Sequence, residues 1–323
     1  MIRVGVLRGG PSDEYEVSLL TGRAVLDNLP EEKYQGVDFF IDRKGTWHQR
    51  GIPVDPSRVL GSVDTVFIGL HGTYGEDGQI QRMLEELSIP FVGSTSAGSA
   101  LAMNKAATKR RVQALGIKTP HYIIFEPETN DPDYIEEEAY RIFRSFPHPC
   151  VTKPLDKGSS VGVTVVRSFH DLADGIEEAL KFSPRILIEE FISGREAASG
   201  VLEGYRGESI YKLPCIEIVP SREEGFFTYK AKYKGASEEI CPSTFEDGIK
   251  SELEEAARAI HEELSLRHYS RSDFIVSPRG VYFLETNTLP GLTPMSLLPK
   301  SVGAVGCGFG EFLDHLVELS LKR

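Results

Sequence analysis

The chain is poor in cysteine and has no long hydrophobic run. Its 323 residues include only four cysteines, at positions 150, 215, 241 and 307, and no two of them form a CxxC pair. Scattered thiols in a long chain indicate a reducing compartment and ordinary packing. No apolar stretch approaches the ~20 residues that cross a bilayer, and the opening strand reaches Arg8 too early for a signal peptide. We therefore expect a soluble cytoplasmic protein that does not bind membranes.

Positive charge is also scarce, because 36 Lys and Arg residues face 48 Asp and Glu residues, which gives a formal net charge of -12. Nucleic-acid binding, which needs a broad basic surface, is therefore not expected. The Walker A pattern GxxxxGK[ST] is absent, and Gly5–Gly10 lacks the GxGxxG spacing of dinucleotide-binding oxidoreductases. The length and the 40% hydrophobic content predict two or three ordered domains.

The first third of the sequence reads as alternating strands and helices. A strand over Val4–Leu7 ends at Gly9-Gly10, and Asp13 and Glu16 have the spacing of a capping box for the helix that follows. Alternation of this kind predicts a largely parallel sheet, whose ligands bind at the carboxyl ends of the strands. Further strands are predicted over 37–41, 66–70 and 91–92.

The rest of the chain predicts two more segments, so that the fold class is α/β with α+β character toward the C-terminus. After a helix over 105–115, the second segment has strands over 122–125, 150–153, 162–166 and 186–190, with helices over 134–145 and 169–181. The third has a polar loop from about 221 to 243, a helix over 245–264 and a final hairpin.

The final hairpin is a candidate metal site. Two strand-like runs, 270–276 and 281–287, are joined by the predicted three-residue loop 278–280, whose last residue is a glycine. This register places Asp273 opposite Glu285. Opposed carboxylates repel each other unless a cation lies between them, and their oxygens suit Mg²⁺.

Arg271 and Asn287 are opposed on the same face of the hairpin, so four polar side chains should converge. The alternative is a surface hairpin in which Arg271 simply pairs with Glu285. The apolar side chains of Phe274 and Phe283 make the hairpin too hydrophobic for a purely solvated element.

The glycine-serine loop Lys157–Gly162 is a candidate phosphate site. It lies between two strands, and its small residues let backbone N–H groups and serine hydroxyls approach phosphate oxygens, with Lys153 supplying charge. The alternative is an ordinary hairpin turn. Together with the hairpin carboxylates, the loop favours nucleotide-dependent chemistry.

Other segments give weaker signals, each with a structural alternative. The strand end Glu189–Ile192 could present backbone groups to an adenine and Glu196 could bind ribose hydroxyls, or these acids could simply be solvated. The basic loop 228–234 could close as a lid over phosphates. Glu14 could hold a substrate ammonium, or could only favour the helix dipole by ~0.3–1 kcal/mol. His71 could be a loop histidine without a role.

Six ordered blocks resemble the D-alanine–D-alanine ligase family of the ATP-grasp superfamily, and they span nearly the whole chain. They are Gly9-Gly-Pro-Ser-Asp-Glu-Tyr-Glu-Val-Ser18, Leu70-His-Gly-Thr-Tyr-Gly-Glu-Asp-Gly78, Met103-Asn-Lys105, Val151-Thr-Lys-Pro154 with Gly158-Ser-Ser-Val-Gly162, Tyr229-Lys-Ala-Lys-Tyr233, and Glu285-Thr-Asn-Thr-Leu-Pro-Gly-Leu-Thr293. The resemblance implies a three-domain ATP-grasp fold with a Rossmann-like domain over 1–104, a central subdomain over 105–192 and a C-terminal subdomain with a lid over 193–323.

The resemblance also implies an activity: ATP joins two D-alanines through an acyl phosphate, for peptidoglycan precursors, in a cytoplasmic homodimer. It implies two Mg²⁺ ions, replaceable by Mn²⁺, on Asp273, Glu285 and Asn287. The residues implied to bind ATP are Lys105, Lys153, Ser160, Glu189, Glu190, Phe191, Ile192, Glu196, Lys232 and Asn287. Those implied for catalysis or amino-acid binding are Glu14, Val17, His71, Ser159, Tyr233, Arg271, Gly291, Ser296 and Leu297.

Tyr233 resembles the tyrosine of dipeptide-forming members, where depsipeptide-forming relatives tend to carry phenylalanine, so D-alanine and not D-lactate is expected as second substrate. Three alternatives remain: another ATP-grasp carboxylate–amine ligase, of the D-Ala-D-Ser or D-Ala-D-Lac type; a non-catalytic nucleotide sensor; and an oxidoreductase, which the missing GxGxxG disfavours. Arg271 argues against a sensor, because binding alone needs no donor to an oxyanion.

Overall fold

The computed structural model describes residues 1–158, 161–220 and 237–322. The chain opens with a six-stranded sheet in which four strands run parallel and an antiparallel hairpin extends one edge. Their spatial order is β4-β3-β2-β1-β5-β6, with β1 Ile2–Gly9, β2 Tyr34–Ile41, β3 Trp47–Gln49, β4 Ile52–Pro53, β5 Thr65–Ile68 and β6 Phe91–Val92. The predicted parallel sheet is confirmed.

Helices connect these strands: α1 Tyr15–Asn28, α2 Pro56–Leu60, α3 Gln79–Glu86, α4 Ser96–Met103 and α5 Lys105–Ala114. The predicted capping box at the start of α1 is wrong, because Glu14 and not Asp13 is the N-cap residue and no side chain caps this helix within the described residues. The Ser12 hydroxyl instead accepts the Glu14 amide at 3.2 Å. Glu14 itself is buried, at 7% exposed.

The second sheet has four antiparallel strands in the order β7-β10-β8-β9. Their bounds are β7 Tyr122–Phe125, β8 Cys150–Pro154, β9 Thr164–Val166 and β10 Ile186–Glu190, and helices α6 Pro132–Ser145 and α7 Phe169–Leu180 pack on them. A true capping box starts α7, where Ser168 and Asp171 exchange hydrogen bonds with each other's backbone amides.

The third sheet is antiparallel, in the order β14-β13-β11-β15-β16, with β12 paired to β11. Its strands are β11 Arg195–Glu203, β12 Ile210–Lys212, β13 Ile216–Pro220, β14 Ser237–Ile240, β15 Tyr269–Ser277 and β16 Gly280–Asn287. The remaining elements are a short 3₁₀ turn Tyr205–Gly207 and the helices α8 Asp247–Glu263, α9 Leu297–Ala304 and α10 Phe309–Leu321.

The β15–β16 hairpin confirms the predicted pairing of Asp273 with Glu285, and of Arg271 with Asn287, but not the predicted loop. Ser277 pairs with Gly280, so the loop has two residues instead of three. A bulge at Leu284 adds the missing residue further along β16, since Phe283 and Glu285 pair with consecutive residues of β15. Bulges bend a strand and re-aim its side chains, and this one adjoins the site described below.

The last helix packs on the first sheet and also contacts the third, where His315 Nε2 lies 2.7 Å from the Glu203 carbonyl oxygen and the Phe312 ring packs edge-on against Tyr269. Thr65 of β5 and Ser320 of α10 share a 2.7 Å hydrogen bond, and Lys33 and Tyr34 both contact Asp314 at 2.6 Å. The core around the first sheet therefore includes the apolar face of α10. The domain limits at 104 and 192 remain a prediction. Within the described part of the chain, every helix is too short or too polar to cross a membrane.

Candidate functional site

A cleft of ≈ 160 Å³ lies between the second and third sheets. Both apolar and charged side chains line it. It brings together residues that the sequence predicted for nucleotide binding: Lys105, Lys153, Glu189, Glu190, Phe191, Ile192 and Glu196, with Asp273 and Glu285 beside them. Leu284 also lines the cleft, because the bulge turns it to the same side as Glu285.

A buried cluster of three charges underlies this cleft. The Glu189 carboxylate contacts the Lys153 ammonium on one oxygen and the Lys109 ammonium on the other, at 3.1 Å for Lys109. Burial opposes ionisation of Glu189, but the two lysines hold its pKa below the ordinary value. Burial lowers the pKa of Lys109 to about 8, against the attraction of Glu189. Two cations therefore share one carboxylate, which favours an anion nearby.

The hairpin carboxylates are each paired with a cationic side chain. Arg271 donates two hydrogen bonds to Asp273, at 2.7 and 2.9 Å, and Asn287 donates to the same carboxylate at 3.2 Å. The Lys105 ammonium lies 3.0 Å from Glu285 and 2.6 Å from the Lys157 carbonyl. The pairing of Arg271 with Glu285, considered as the alternative, is not what the structure shows.

The donor chemistry of this hairpin fits a hard divalent cation, because Asp273, Glu285 and Asn287 offer only oxygen ligands. Across the described residues, no three His, Cys, Asp or Glu side chains form a metal cluster. The set contains only two carboxylates, so an ion held here would take further ligands from outside these three residues.

A second, larger cleft of ≈ 620 Å³ lies between helix α1 and the loop that follows β16. It brings together residues that the sequence predicted for amino-acid binding. These are Glu14, Val17, His71, Arg271, Gly291, Ser296 and Leu297, and Asn287 lines the cleft as well. Arg271 and Asn287 therefore face this cleft, whereas Asp273 and Glu285, on the same hairpin, face the first.

Two glutamates lie close together at the inner end of the second cleft. Glu76 is buried and accepts a hydrogen bond from the Gly72 amide at 2.7 Å. A Cβ on Gly72, whose φ is +68°, would lie 2.7 Å from a Glu14 carboxylate oxygen, so a side chain there would be strained and Glu14 would have to move. Burial, and then the neighbouring Glu14, raise the pKa of Glu76.

His71 is buried and both of its ring nitrogens are occupied. Nε2 lies 2.7 Å from the Thr21 hydroxyl, and Nδ1 lies 2.9 Å from the Leu289 carbonyl oxygen. Burial lowers the pKa of His71 to about 4, so the ring is neutral at physiological pH. His71 thus lines the cleft, but it has no free nitrogen to offer a ligand.

Some predictions fall outside the described residues, and some important residues were missed. Ser159, Ser160, Lys232 and Tyr233 lie outside the described residues, as does the basic loop 228–234. Lys109 and Glu76 were not predicted. Lys109 follows Lys105 by one helical turn, a spacing that places both on one face of α5. Glu76 stands in the same sequence block as His71.

Comparisons with known proteins cover the whole chain. The family models described as D-ala D-ala ligase C-terminus and N-terminus match residues 111–318, and residues 3–59 and 49–94. The D-alanine--D-alanine ligases of Syntrophobacter fumaroxidans and Halalkalibacterium halodurans are each 38% identical, over 99% and 100% of this chain and 98% and 100% of theirs.

Solved structures give the same result. A D-Ala:D-Ser ligase from Enterococcus faecalis matches with a TM-score of 0.85 and 31% identity over 99% of both chains. The D-alanine--D-alanine ligase from Bacillus anthracis complexed with ATP matches with a TM-score of 0.80 and 30% identity, over 100% of this chain and 98% of that one. The chain, with its ATP-grasp fold, belongs to the D-alanine–D-alanine ligase family.

Proposed function

We propose that this protein joins two D-alanine molecules into D-alanyl-D-alanine with the consumption of ATP. The observation that carries the proposal is the position of the β15–β16 hairpin between the two clefts. Asp273 and Glu285 line the narrow cleft, and Arg271 and Asn287 line the wide one. A phosphoryl donor in one cleft and an amino acid in the other would therefore meet at this hairpin.

ATP would occupy the narrow cleft. Lys105 and Lys153 would contact its phosphates, and the excess positive charge of the cluster that contains Lys109 supports an anion there. The segment Glu189–Ile192 and Glu196 would hold the adenosine. Because the Glu189 carboxylate is already paired with two lysines, we expect its backbone and not its side chain to face the base. Ser160 and Lys232 would add phosphate contacts.

Mg²⁺, as two ions, would be held by Asp273, Glu285 and Asn287. When bound, it would neutralise charge on the phosphates during transfer. Lys105 and Arg271 now offset the carboxylates that would hold the metal, so these two cations have to exchange partners when a metal and a nucleotide bind. Lys105 would then be available to the phosphates, and Arg271 to the amino acid.

The reaction has two balanced steps. A carboxylate oxygen of the first D-alanine attacks the γ-phosphorus of ATP, the bond to ADP breaks, and an acyl phosphate forms. The free amine of the second D-alanine then attacks the acyl carbon, the amide bond forms, and phosphate leaves with its bond electrons while the amine loses a proton. Arg271 and the Gly291 amide would donate to the tetrahedral oxyanion, where one such donor is typically worth ~3–4 kcal/mol.

The wide cleft would hold the amino acids. Glu14 would bind the ammonium of the first D-alanine beside Val17, and Ser296 and Leu297 would contact the second. Ser159 and Tyr233 would join the first domain to the lid, which would exclude water from the acyl phosphate. His71 lines this cleft without a free ring nitrogen, so it would shape the pocket and not bind substrate polar atoms.

We also propose that the protein works in the cytoplasm as a homodimer that supplies peptidoglycan precursors. The family relationship supports this wider setting. The same relationship supports the three-domain division at residues 104 and 192.

The test is D-alanine-dependent phosphate release from ATP and Mg²⁺, with the product mass recorded, beside L-alanine, D-serine and D-lactate. The expected outcome is a D-alanyl-D-alanine mass with one phosphate per bond. Phosphate release only with another acid would remove the D-alanine assignment, and comparable rates with D-lactate at neutral pH would contradict the choice of second substrate. Tight ATP binding without any turnover would favour a sensor.

A further inference from the structure

The loop after β16 contacts the first domain through both the side chain and the backbone of Leu289. The Leu289 side chain is 2% exposed and belongs to the hydrophobic core built around the first sheet. The Leu289 carbonyl oxygen lies 2.9 Å from Nδ1 of His71, which follows strand β5. Side chain and backbone of Leu289 are therefore both held by residues that lie far from it in the sequence.

The hydrogen-bond partners of His71 fix its tautomer. A carbonyl oxygen can only accept, so Nδ1 must carry the proton that points to Leu289. Nε2 is then an acceptor, and the Thr21 hydroxyl, 2.7 Å away, must donate to it. Thr21 is 1% exposed, and His71 is 4% exposed. The two hydrogen bonds that link the Thr21 hydroxyl, the His71 ring and the Leu289 carbonyl therefore both donate in the same direction, toward Leu289.

The turn that carries His71 is itself held in place. The Ser12 hydroxyl donates to the His71 carbonyl at 2.8 Å, and the Ser18 hydroxyl accepts the His71 amide at 2.9 Å. Glu76 closes the turn by accepting the Gly72 amide. His71 therefore reaches Leu289 from a rigid base, since backbone and ring are both fixed.

Gly291 stands two residues after Leu289, between this anchor and Ser296. The intervening Pro290 has a fixed φ, so few backbone torsions separate the held carbonyl from the Gly291 amide. On the other side, a Cβ on Gly291 would lie 3.0 Å from the Ser296 hydroxyl oxygen. A shift of the Leu289 carbonyl would therefore re-aim the Gly291 N–H.

We propose that His71 is a positioning residue that fixes the Leu289 carbonyl and so aims the Gly291 amide at the oxyanion of the peptide-forming step. This inference rests on the proposed function. It assigns to His71 no contact with substrate polar atoms, and it makes the first domain a part of the machinery for the second chemical step. Misplacing a catalytic group by about 1 Å can cost 10²-fold in rate.

The test compares His71→Asn with His71→Gln in the full-length protein. The Asn amide nitrogen stands near the place of Nδ1 and can still donate to Leu289, whereas the Gln amide reaches toward Thr21. We expect His71→Gln to lower kcat for dipeptide formation by about 10- to 100-fold, with KM for ATP unchanged. His71→Asn should keep kcat within about threefold of wild type, a difference of less than ~0.7 kcal/mol.

A second readout separates the two chemical steps. ATP labelled with ¹⁸O in the β,γ-bridge scrambles its label when the acyl phosphate forms reversibly, and that step does not use the oxyanion donors. With D-alanine present, His71→Gln should scramble the label at close to the wild-type rate while dipeptide formation falls. Equal losses in both rates, or equal losses of kcat for Asn and Gln, would overturn the inference.

Thr21 supplies a check if His71→Gln does not fold. Thr21→Val removes the hydroxyl that donates to Nε2, and Thr21→Ser retains it. We expect Val, like His71→Asn, to lower kcat by no more than about threefold with label scrambling retained, and Ser to keep the wild-type rate. Identical rates for Val and Ser, or equal losses in kcat and label scrambling, would overturn the inference. Failure of the wild type to make any dipeptide would instead overturn the proposed function, and would be seen before any variant is compared.

Discussion

The two clefts stabilise their ionisable groups in opposite ways. In the narrow cleft three carboxylates meet cations: Glu189 meets Lys109 and Lys153, Asp273 meets Arg271, and Glu285 meets Lys105. At the inner end of the wide cleft, burial favours the neutral forms of His71 and Glu76, and neutral hydrogen bonds hold them.

The difference matches what each cleft has to bind. Cations paired with carboxylates can exchange partners when a polyanion and a metal enter, so the narrow cleft is already arranged for charge. A small zwitterion needs one or two fixed charges and a rigid frame. Neutral buried groups supply such a frame without adding charge that would compete for the substrate's ammonium or carboxylate.

Removing a hairpin carboxylate should have the largest effect on turnover. Asp273→Asn or Glu285→Gln removes a hard anionic ligand at the junction of the clefts, and we expect kcat to fall by ~10³-fold or more. The fold should persist, because each residue lies in a strand whose backbone pairing is unchanged. Steady-state kinetics and thermal melting check this.

The matched control for the hairpin carboxylates is Glu136→Gln, an exposed residue of α6 that should leave the kinetics unchanged. Near-wild-type turnover of Asp273→Asn would remove the metal assignment.

Breaking the buried charge cluster should have the largest effect on stability. Glu189→Gln would leave two buried lysines without their shared carboxylate, and we expect a loss of ~3–5 kcal/mol in the free energy of unfolding. Its control is Lys181→Gln, which breaks the exposed Lys181–Glu178 pair, where both side chains are more than 40% exposed. That pair should contribute ~0–1 kcal/mol. Urea unfolding measures the loss in the free energy of unfolding for both variants. Equal losses would contradict the contrast between buried and exposed pairs.

The sequence predicted the hairpin register correctly but for an incomplete reason. Two residues in the loop and a bulge at Leu284 together give the same pairing of Asp273 with Glu285 as a three-residue loop would. The position of a bulge depends on how the strand packs against its neighbours, which sequence alternation does not encode. The same limit applies to α1, where Glu14 is the N-cap residue and its amide donates to the Ser12 hydroxyl, so the predicted capping box does not form.

Lys109 and Glu76 show what sequence reading misses. A lysine or glutamate in isolation is usually solvated, so nothing local marks these two as buried. Their roles depend on partners far along the chain: Glu189 for Lys109, and Glu14 for Glu76. The packing of α10 on the first sheet, with Ser320 bonded to Thr65, is likewise a contact between residues far apart in the chain. Parallel strands and motif blocks, in contrast, are local patterns and were predicted.

In the wide cleft, Glu14→Gln should weaken binding of the first D-alanine. The loss of one charge-assisted hydrogen bond to the ammonium corresponds to ~1.5–3 kcal/mol, or about 10- to 100-fold in apparent affinity. Glu16→Gln is the matched control, because Glu16 also lines the cleft but pairs with Arg43 at the surface. D-alanine titrations measure the apparent affinity of both variants for the first D-alanine. An unchanged affinity for Glu14→Gln would remove this residue from the ammonium site.

The pH dependence of stability should have opposite signs for Glu76 and His71. Because the folded state raises the pKa of Glu76, it keeps a proton that the unfolded chain releases above pH 4.5. Stability of the wild type relative to Glu76→Gln should therefore fall as pH rises above 4.5, by at most ~1.4 kcal/mol per pH unit.

His71 gives the reverse dependence, because its pKa is lowered from 6.5 to about 4. Between those values the unfolded chain binds a proton that the folded protein rejects, so wild-type stability relative to His71→Asn should fall as pH drops from 6.5 toward 4. Urea unfolding across pH 4–8 measures both differences. If neither difference in stability changed with pH, Glu76 and His71 would not be held neutral. The wide cleft would then not differ from the narrow one in the way proposed.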